Sequence, residues 1–533
     1  MREARPRDGS LALLFGAALF ALAAAPLCFV KRPPFQDFGE HVAAAAMAAH
    51  PGDFPGYVFN GFLKTNSAFV AFTWLAGKAV GFERAGFVFA LLVLGVNAFV
   101  LPWFVLHFGG RGRMASAVLF APPFVHNWFV SMGMLNFSLG VSLSMVLLVA
   151  LDRHRAAPSW PRALGVVGLS FATWYAHPVP VIAVGLLAAV EVLSRPGTAA
   201  RVAAARSLAP PLAPVAIAVA LSTAVHLHGA IRPAASGAAT VFQTPLWLVY
   251  DLWAHWAYGY TPLSATSLAS MAALVALVAL GWRRATSPLP LFGSWALLSL
   301  LVLYFAAPYQ TVGLGYAGSR VLPYLWLAVL LRVPERLTRG WAAMLGTSAA
   351  LYVAGMAVDE ARLARDEDEL AAGVDAVGRG ARLDVFIFSP RVTSKNTWSL
   401  STAWGDYVVR SHARTWEMPG DTPSLPFRWS EPPPPRLETS AHHRFMDGMR
   451  TRSAFCAKRE AGGLDAAECE RQWRAGWASY YREVDPFIDA ILMWDPPDDS
   501  LSQVPAGWGL AFRGGKLWIF SRAAGGQAER ARG

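Results

Sequence analysis

The chain has 533 residues, of which 55% are hydrophobic and only 15% are charged, whereas soluble proteins average roughly 45–50% and 25%. This composition excludes an ordinary soluble enzyme and predicts a protein that crosses a membrane many times. The formal net charge of +11 does not indicate a nucleic-acid partner, because the basic residues lie in short loops between apolar segments and form no continuous basic face.

Eleven apolar segments are candidate transmembrane helices. They run roughly over 11–30, 85–107, 114–130, 133–151, 163–177, 179–194, 208–226, 264–281, 288–306, 319–331 and 341–358. The first segment also fits a cleavable signal peptide, but the many spans that follow favour an anchor. Alternate loops hold 16 basic residues on one side and 7 on the other. Because cytoplasmic loops are the basic ones, we expect a cytoplasmic N-terminus.

The acidic residues divide the chain into two regions. Residues 1–358 contain 10 acidic and 23 basic residues, a net charge of +13, and residues 359–533 contain 25 acidic and 23 basic residues, a net charge of −2. We therefore expect a transmembrane helical domain over 1–358 and a water-exposed domain over 359–533. An odd number of spans places that second domain outside the cytoplasm.

Two outer loops are unusually long. The first, 31–84, contains the helical-looking stretch 42–49 and a short apolar segment, 67–80, which we expect to lie along the membrane interface. The second, 227–262, carries a dense group of aromatic residues: Trp247, Tyr250, Trp253, Trp256, Tyr258 and Tyr260. Such residues usually anchor a chain at headgroup level, and a platform for an acceptor sugar is the alternative.

The tail after residue 358 indicates a small α/β domain. Residues 383–389 and 489–494 are predicted strands, 508–522 is a predicted hairpin that turns at Gly514 and Gly515, and 467–483 is a predicted helix. Cys456 and Cys469 lie in this tail, and the sequence leaves open whether they pair. His442 and His443 have no third ligand at a recognisable spacing, so no zinc site is predicted.

The most informative stretch follows the first span, where Asp37, Glu40 and His41 occur in the sequence FQDFGEH. If a helix starts near Asp37, these residues stand at i, i+3 and i+4 and share one face. A carboxylate held there next to an imidazole is suited to take a proton from an alcohol or to bind a divalent metal. The alternative is a capping box, in which Asp37 accepts a hydrogen bond from the Glu40 amide and serves only the helix.

This layout resembles the GT-C superfamily of membrane glycosyltransferases, which includes protein mannosyltransferase-like and lipid A aminoarabinose transferase-like enzymes. The segment from Phe35 to His41 is similar to the Asp-containing first-loop motif of bacterial members, and residues 133–140 (GMLNFSLG) resemble a hairpin-and-span motif of uncharacterised relatives. The resemblance implies a GT-C-like fold of about eleven transmembrane helices with a small extracytoplasmic α/β domain. The chain differs from better-known members by lacking an adjacent Asp-Glu pair.

The resemblance also implies transfer of a sugar from a polyprenyl-phosphate donor, with Asp37 as base and Glu40 or His41 assisting. A departing phosphate needs a cation, and Arg320, at the outer end of a span, is the candidate. The alternative for Arg320 is a side chain that snorkels to the membrane surface. His177 and Asn136 are further candidates for substrate contact, with an interfacial histidine and a helix-bridging amide as alternatives.

The resemblance therefore implies an integral-membrane glycosyltransferase of the bacterial inner membrane that acts at its outer face. Its expected partners are the lipid-phosphate donor, membrane lipid, and a glycan, lipid or protein acceptor. No cofactor is required by these residues, and the metal ligands, if a divalent metal takes part, are unknown. The alternative is a transporter or scaffold for envelope polysaccharide or lipid assembly, although a transporter usually carries ionisable groups near mid-membrane.

Overall fold

The structure, a computed structural model, describes all residues except 1–5, 231–239, 256–264, 283–288, 312–313, 390–399, 401, 419–424, 432 and 523–533. The helices are α1 (Pro6–Ala24), α2 (Phe38–Ala49), α3 (Ala68–Val80), α4 (Phe82–Val118), α5 (Pro122–Val125), α6 (Trp128–Ser131), α7 (Leu135–Ala156), α8 (Trp160–Ala176), α9 (Pro178–Leu193), α10 (Thr198–Ala230), α11 (Pro245–Ala254), α12 (Ala265–Gly281), α13 (Ser294–Ala306), α14 (Leu322–Leu330), α15 (Arg339–Ala371), α16 (Gly405–Ser411), α17 (Thr439–Met449), α18 (Arg452–Ala461), α19 (Ala466–Val484) and α20 (Asp498–Leu501). The strands are β1 (Tyr57–Phe59), β2 (Gln310–Thr311), β3 (Leu314–Gly315), β4 (Arg382–Ile387), β5 (Arg414–Thr415), β6 (Phe427–Trp429), β7 (Ala490–Trp494), β8 (Trp508–Gly514) and β9 (Leu517–Arg522).

A helical bundle forms the first two thirds of the chain. Within the described residues, five stretches have the length and composition to cross a membrane: Asp8–Phe29, Phe82–Val118, Leu135–Ala156, Thr198–Ala224 and Arg339–Ala376. Shorter apolar helices cover Ala68–Val80, Pro178–Leu193, Ala265–Gly281, Ser294–Ala306 and Ser319–Leu330. The expected polytopic helical body is confirmed, whereas the total of eleven crossings stays a prediction.

The segment predicted as one span over 114–130 is a broken helix, and that expectation was wrong. The long helix α4 is kinked at Gly110, where φ is +77°, and the chain then continues through the short helices α5 and α6. Two consecutive prolines, Pro122 and Pro123, open α5, and Asn127 caps α6 by accepting a 3.2 Å hydrogen bond from Val130 N. Most of these residues are buried inside the protein.

The tail contains a five-stranded mixed sheet with the strand order β5-β4-β7-β9-β8. Strands β5, β4 and β7 are parallel, and β9 and β8 form the antiparallel hairpin expected from the two glycines. Helix α19 lies within one residue of the predicted 467–483 at either end, and Asp465 caps it by accepting from the amides of Ala467 and Glu468. The charged run after residue 358 is the last part of α15, so a single helix joins the bundle to the tail.

The first outer loop packs into the tail. Strand β1 of this loop pairs antiparallel with β6 of the tail, and buried residues of α2 share one hydrophobic cluster with β4, β7 and β9. Gly39 of α2 and Gly405 of α16 touch through their backbones, with no room for a Cβ on either residue. The loop and the tail therefore lie at the same end of the bundle.

The second outer loop is described in part. Its helix α11 includes Trp247, which is 55% exposed, together with Tyr250 and Trp253. Trp256, Tyr258 and Tyr260 lie outside the described residues. In the tail, Cys456 of α18 and Cys469 of α19 form a disulfide, which answers the question that the sequence left open.

Candidate active site

Asp37 lies where the two motifs singled out in the sequence meet. The amide of Gln36 donates to Ser131 O, and the amide of Asp37 donates to Met132 O, each at 3.1 Å. Next to this junction Gly133 has φ +78°, and a Cβ there would come within 2.7 Å of Asp37 N. Glycine is therefore needed at this position for both its conformation and its small size.

The Asp37 side chain does not cap α2, although Asp37 occupies the N-cap position. The capping-box interpretation is therefore wrong for the Asp37 carboxylate. Burial raises the pKa of Asp37 to about 7, and the positive charge of Arg320 and a hydrogen bond from Gln36 act in the opposite direction. Near neutral pH this carboxyl group is consequently divided between its charged and neutral forms.

Glu40 extends the acidic group one helical turn further. Burial raises its pKa to about 8, and the negative charges of Asp37 and Glu417 add to this effect. Asp37 and Glu40 both keep part of their surface accessible. Two adjacent carboxyl groups with raised pKa values hold at least one proton between them near pH 7, as expected when like charges share a site.

His41 lies on the apolar side of α2. Its ring packs against Phe69 with the ring centroids 5.1 Å apart, and its Nδ1 has no hydrogen-bond partner among the described residues. Burial lowers the pKa of His41 to about 4. The imidazole is thus neutral at physiological pH, and its ring helps to pack α2 against α3.

Arg320 is buried, with 8% of its surface exposed, so the snorkelling interpretation is wrong. It belongs to a short 3₁₀ turn, Ser319–Val321, at the start of α14. Its Nη1 lies 2.6 Å from His177 Nε2, its Nε donates to Gly315 O at 3.2 Å, and its guanidinium lies 5.2 Å from the centre of the Phe137 ring. Arginine has five N–H groups, and these contacts use two of them.

His177 connects Arg320 to the bundle. It caps α9, where its Nδ1 faces the amide of Val179 at 3.2 Å, while its Nε2 faces Arg320. A neutral imidazole has only one acceptor nitrogen, so the shorter contact with Arg320 competes with the cap. His177 is therefore a direct neighbour of the cation.

Asn136 has a positioning role in this structure. Its Oδ1 accepts from the amide of Phe69 at 2.7 Å, and its Nδ2 donates to Asn66 O at 2.9 Å. The side chain thus joins the turn before α3 to the first turn of α3, where Phe69 packs against His41. Substrate contact by Asn136 stays a prediction.

A second set of charged residues, which the sequence did not indicate, lies in the tail. His442 Nδ1 lies 2.6 Å from Glu417 Oε1, and His442 Nε2 lies 3.3 Å from Asp384 Oδ1. Tyr480 donates to both carboxylate oxygens of Asp384 at 3.0 Å. Glu417 is the member whose charge acts on Glu40, so this buried set adjoins the first-loop carboxyl groups.

Glu417 and His442 form a buried ion pair, and the charge of each shifts the pKa of the other. Burial alone would raise the pKa of Glu417, but the charge of His442 and the hydrogen bond from His443 outweigh it and lower the pKa to about 2. Burial alone would lower the pKa of His442, but the negative charges of Glu417 and Asp384 raise it to about 10. Both groups are charged at neutral pH.

The described residues offer no cluster of three metal ligands around Asp37. The one such cluster among them contains Cys456, Glu460 and Cys469, and its two cysteines are joined in the disulfide. Carboxyl groups with raised pKa values, such as Asp37 and Glu40, are suited to proton transfer. The positive charge of Arg320 acts on Asp37.

No protein-family model matches the chain, and no curated protein matches it either. Among solved structures the chain is similar to the crystal structure of ArnT from Cupriavidus metallidurans bound to undecaprenyl phosphate, at 13% sequence identity and a TM-score of 0.49. The match covers 97% of this chain and 98% of that chain. At this identity it assigns no role to individual residues.

Proposed function

We propose that the chain is an integral-membrane glycosyltransferase that moves a sugar from a polyprenyl-phosphate donor to an acceptor at the outer face of the membrane. The observation that supports this proposal is the electrostatic interaction between Asp37, a carboxyl group of raised pKa, and Arg320, a buried guanidinium. This pair lies at the end of the bundle that carries the tail. A lipid tail would remain in the bilayer while its phosphate reached this level.

The two groups suit the two halves of the reaction. Asp37 in its charged form takes the proton of the acceptor hydroxyl, whose oxygen forms a bond to the anomeric carbon of the sugar. The bond from that carbon to the phosphate oxygen breaks, and the polyprenyl phosphate leaves with the bonding electrons. Arg320 stabilises the negative charge of the leaving phosphate. A base with a pKa near the working pH is available and still strong enough to accept a proton.

Glu40 adjusts the strength of this base. Its negative form would raise the pKa of Asp37 further, and its neutral form relieves the repulsion between the two groups. His41 supports α2 by packing, and His177 orients Arg320. We assign the direct chemistry to Asp37 and Arg320 only.

Lipid-phosphate binding tests the cation. Decaprenyl phosphate should raise the melting temperature of the purified full-length protein in detergent. Arg320→Lys should reduce this shift, because an ammonium group makes no two-pronged phosphate contact, and Arg320→Gln should abolish it. Arg162→Gln, an exposed arginine whose Nη1 donates to the carbonyl oxygens of Arg153 and Ala157, is the matched control and should keep the full shift.

Sugar transfer tests the base. Asp37→Asn should retain the shift with decaprenyl phosphate and lose transfer by about 10²–10⁴-fold. The readout is mass spectrometry of envelope glycans in cells that carry the variant as their only copy. Asp152→Asn, an acid in α7 paired with His107 and Arg155, controls for loss of a partly buried carboxylate. Full transfer by Asp37→Asn would remove Asp37 from the mechanism, and lipid-phosphate binding with no transfer by the wild type would favour the transporter or scaffold.

A further inference from the structure

An open groove lies where the first outer loop meets the tail. Its volume is about 790 Å³, within the roughly 300–1,000 Å³ typical of ligand pockets. We call it the outer groove and define it by its lining residues: Pro55, Gly56, Trp416, Ser430, Glu431, Pro433, Pro434, Pro435, Arg436, Glu483 and Phe487. None of these residues belongs to the pair of groups assigned above to sugar transfer.

We propose that the outer groove binds the carbohydrate part of the acceptor, an inference that rests on the proposed glycosyltransferase function. A pyranose ring has apolar C–H faces and a polar rim of hydroxyl groups. A site for it needs an aromatic surface beside paired hydrogen-bond donors and acceptors. The outer groove supplies both.

The aromatic surface comes from two residues. Trp416 is partly buried, so its ring is held in place while one part faces the groove. Phe487 is 40% exposed although it is a large apolar side chain. The consecutive prolines 433–435 stiffen the wall of the groove, because proline fixes the backbone φ angle. The wall therefore loses little conformational freedom when a ligand binds.

The polar surface comes from an ion pair. Arg436 Nε lies 3.0 Å from Glu483 Oε2, and Arg436 Nη2 lies 3.3 Å from Glu483 Oε1. The two side chains remain 46% and 47% exposed. Arg436 and Glu483 therefore hold each other in a defined orientation and still present polar atoms to the groove. A donor beside an acceptor is suited to sugar hydroxyl groups, which both donate and accept hydrogen bonds.

The groove is joined to the carboxyl groups by adjacent residues. Trp416 in the wall precedes Glu417, whose charge raises the pKa of Glu40. Gly56, which also lines the groove, precedes Tyr57, whose hydroxyl donates to the carbonyl oxygens of Thr415 and Met418 at 3.1 Å each. These two bonds hold the segment that contains Trp416 and Glu417 against the first loop.

An array of bacterial envelope oligosaccharides probed with the labelled full-length protein tests this inference. The wild type should bind saccharides, and Trp416→Ala and Arg436→Ala should each lower the signal at least tenfold. Trp518→Ala is the matched control, because it removes a partly buried tail tryptophan that does not line the groove, and it should bind as the wild type does.

The same variants are tested with decaprenyl phosphate to separate the groove from the donor site. Trp416→Ala should keep the full thermal shift, and Arg320→Gln should keep saccharide binding. Equal saccharide binding by Trp416→Ala and the wild type overturns the inference, as does an empty array or binding of proline-rich or other extended peptides in place of saccharides. Saccharide binding that depends on Trp416 in a protein that ignores decaprenyl phosphate would support the groove and contradict the proposed donor.

Discussion

The amide of Asp37 donates a 3.1 Å hydrogen bond to the carbonyl oxygen of Met132. This bond joins the first-loop motif to the turn before α7, two segments almost one hundred residues apart. The candidate base is thus fixed through its own backbone, which leaves its side chain free of the capping role that the sequence suggested. The tail closes the junction from the other side, where Thr402 donates to Gln36 O.

Gly133→Ala should damage this junction. An alanine there has an unfavourable φ of +78° and a Cβ 2.7 Å from Asp37 N, so the first loop must move. Gly110→Ala separates the two effects, since Gly110 has φ +77° and open space around its Cβ position. We expect Gly110→Ala to cost about 1 kcal/mol and Gly133→Ala clearly more, with loss of transfer. Equal melting temperatures for the two variants would show that the contact with Asp37 is unimportant.

Glu40→Gln should stabilise the protein at alkaline pH. The folded-state pKa of Glu40, about 8, lies above its ordinary value of 4.5, so the folded protein holds a proton that the unfolded chain has released. Stability therefore falls as the pH rises from about 4.5 to 8, and glutamine avoids this loss. We expect the melting temperature to rise by about 2 °C or more at pH 8 and to remain unchanged at pH 4.5.

The control for Glu40→Gln is Glu468→Gln. Hydrogen bonds from Gln472 and Arg471, together with the Arg471 charge, lower the pKa of Glu468, so its replacement should give no gain at pH 8. A gain of the same size in both variants would mean that the effect reflects general charge reduction. It would also remove the support for a crowded acidic group around Asp37.

Short-range sequence patterns were sufficient to predict several strands and one helix of the tail. The strands β4 and β7, the β8–β9 hairpin and helix α19 follow from alternation, paired glycines and helical spacing. The break in the helical segment before α7 could not be predicted in this way. Its composition is as apolar as that of a continuous span, and only the prolines and Asn127 interrupt it. For the candidate site, residue type and position selected Asp37 and Arg320, whereas the electrostatic interaction between them depends on packing that no local pattern encodes.

The charged residues of the tail could not be predicted for the same reason. Asp384 lies on β4, Glu417 follows β5, and His442 and Tyr480 lie on α17 and α19, and the spacing between them matches no motif. Only the sheet and the helices packed on it bring these side chains together. The first loop adds Tyr57 to the same region through strand pairing between β1 and β6, which is again a long-range event.

Breaking the buried pair in the tail should be costly. His442→Gln leaves Glu417 charged and without its main partner, and such losses typically cost about 3–5 kcal/mol. Replacing both residues with glutamine should cost less than the sum of the two single changes, since neither charge then remains buried alone. Melting temperatures of the wild type, the two single variants and the double variant give this coupling, and strict additivity would contradict a direct ion pair.

The same pair predicts a pH optimum of stability. The contribution of Glu417 is present above its ordinary pKa of 4.5 and is lost as the pH falls to about 2, whereas that of His442 is complete below 6.5 and is lost as the pH rises through about 10. Both contributions are therefore complete between about pH 4.5 and 6.5. The difference in melting temperature between the wild type and the double variant should be largest in this window.

The disulfide between Cys456 and Cys469 provides a test of which side of the membrane holds the tail. Disulfides form and persist outside the cytoplasm, so cells quenched with acid should contain these two thiols in oxidised form. A maleimide that increases the mass should label the tail only after reduction, whereas Cys28, a free and exposed cysteine, should be labelled without it in denatured samples. Removing the bond by Cys456→Ser and Cys469→Ser should destabilise the protein by about 2–3 kcal/mol. Thiols that are fully reduced in cells under aerobic growth would place the tail in the cytoplasm, and the proposed reaction at the outer face would then be wrong.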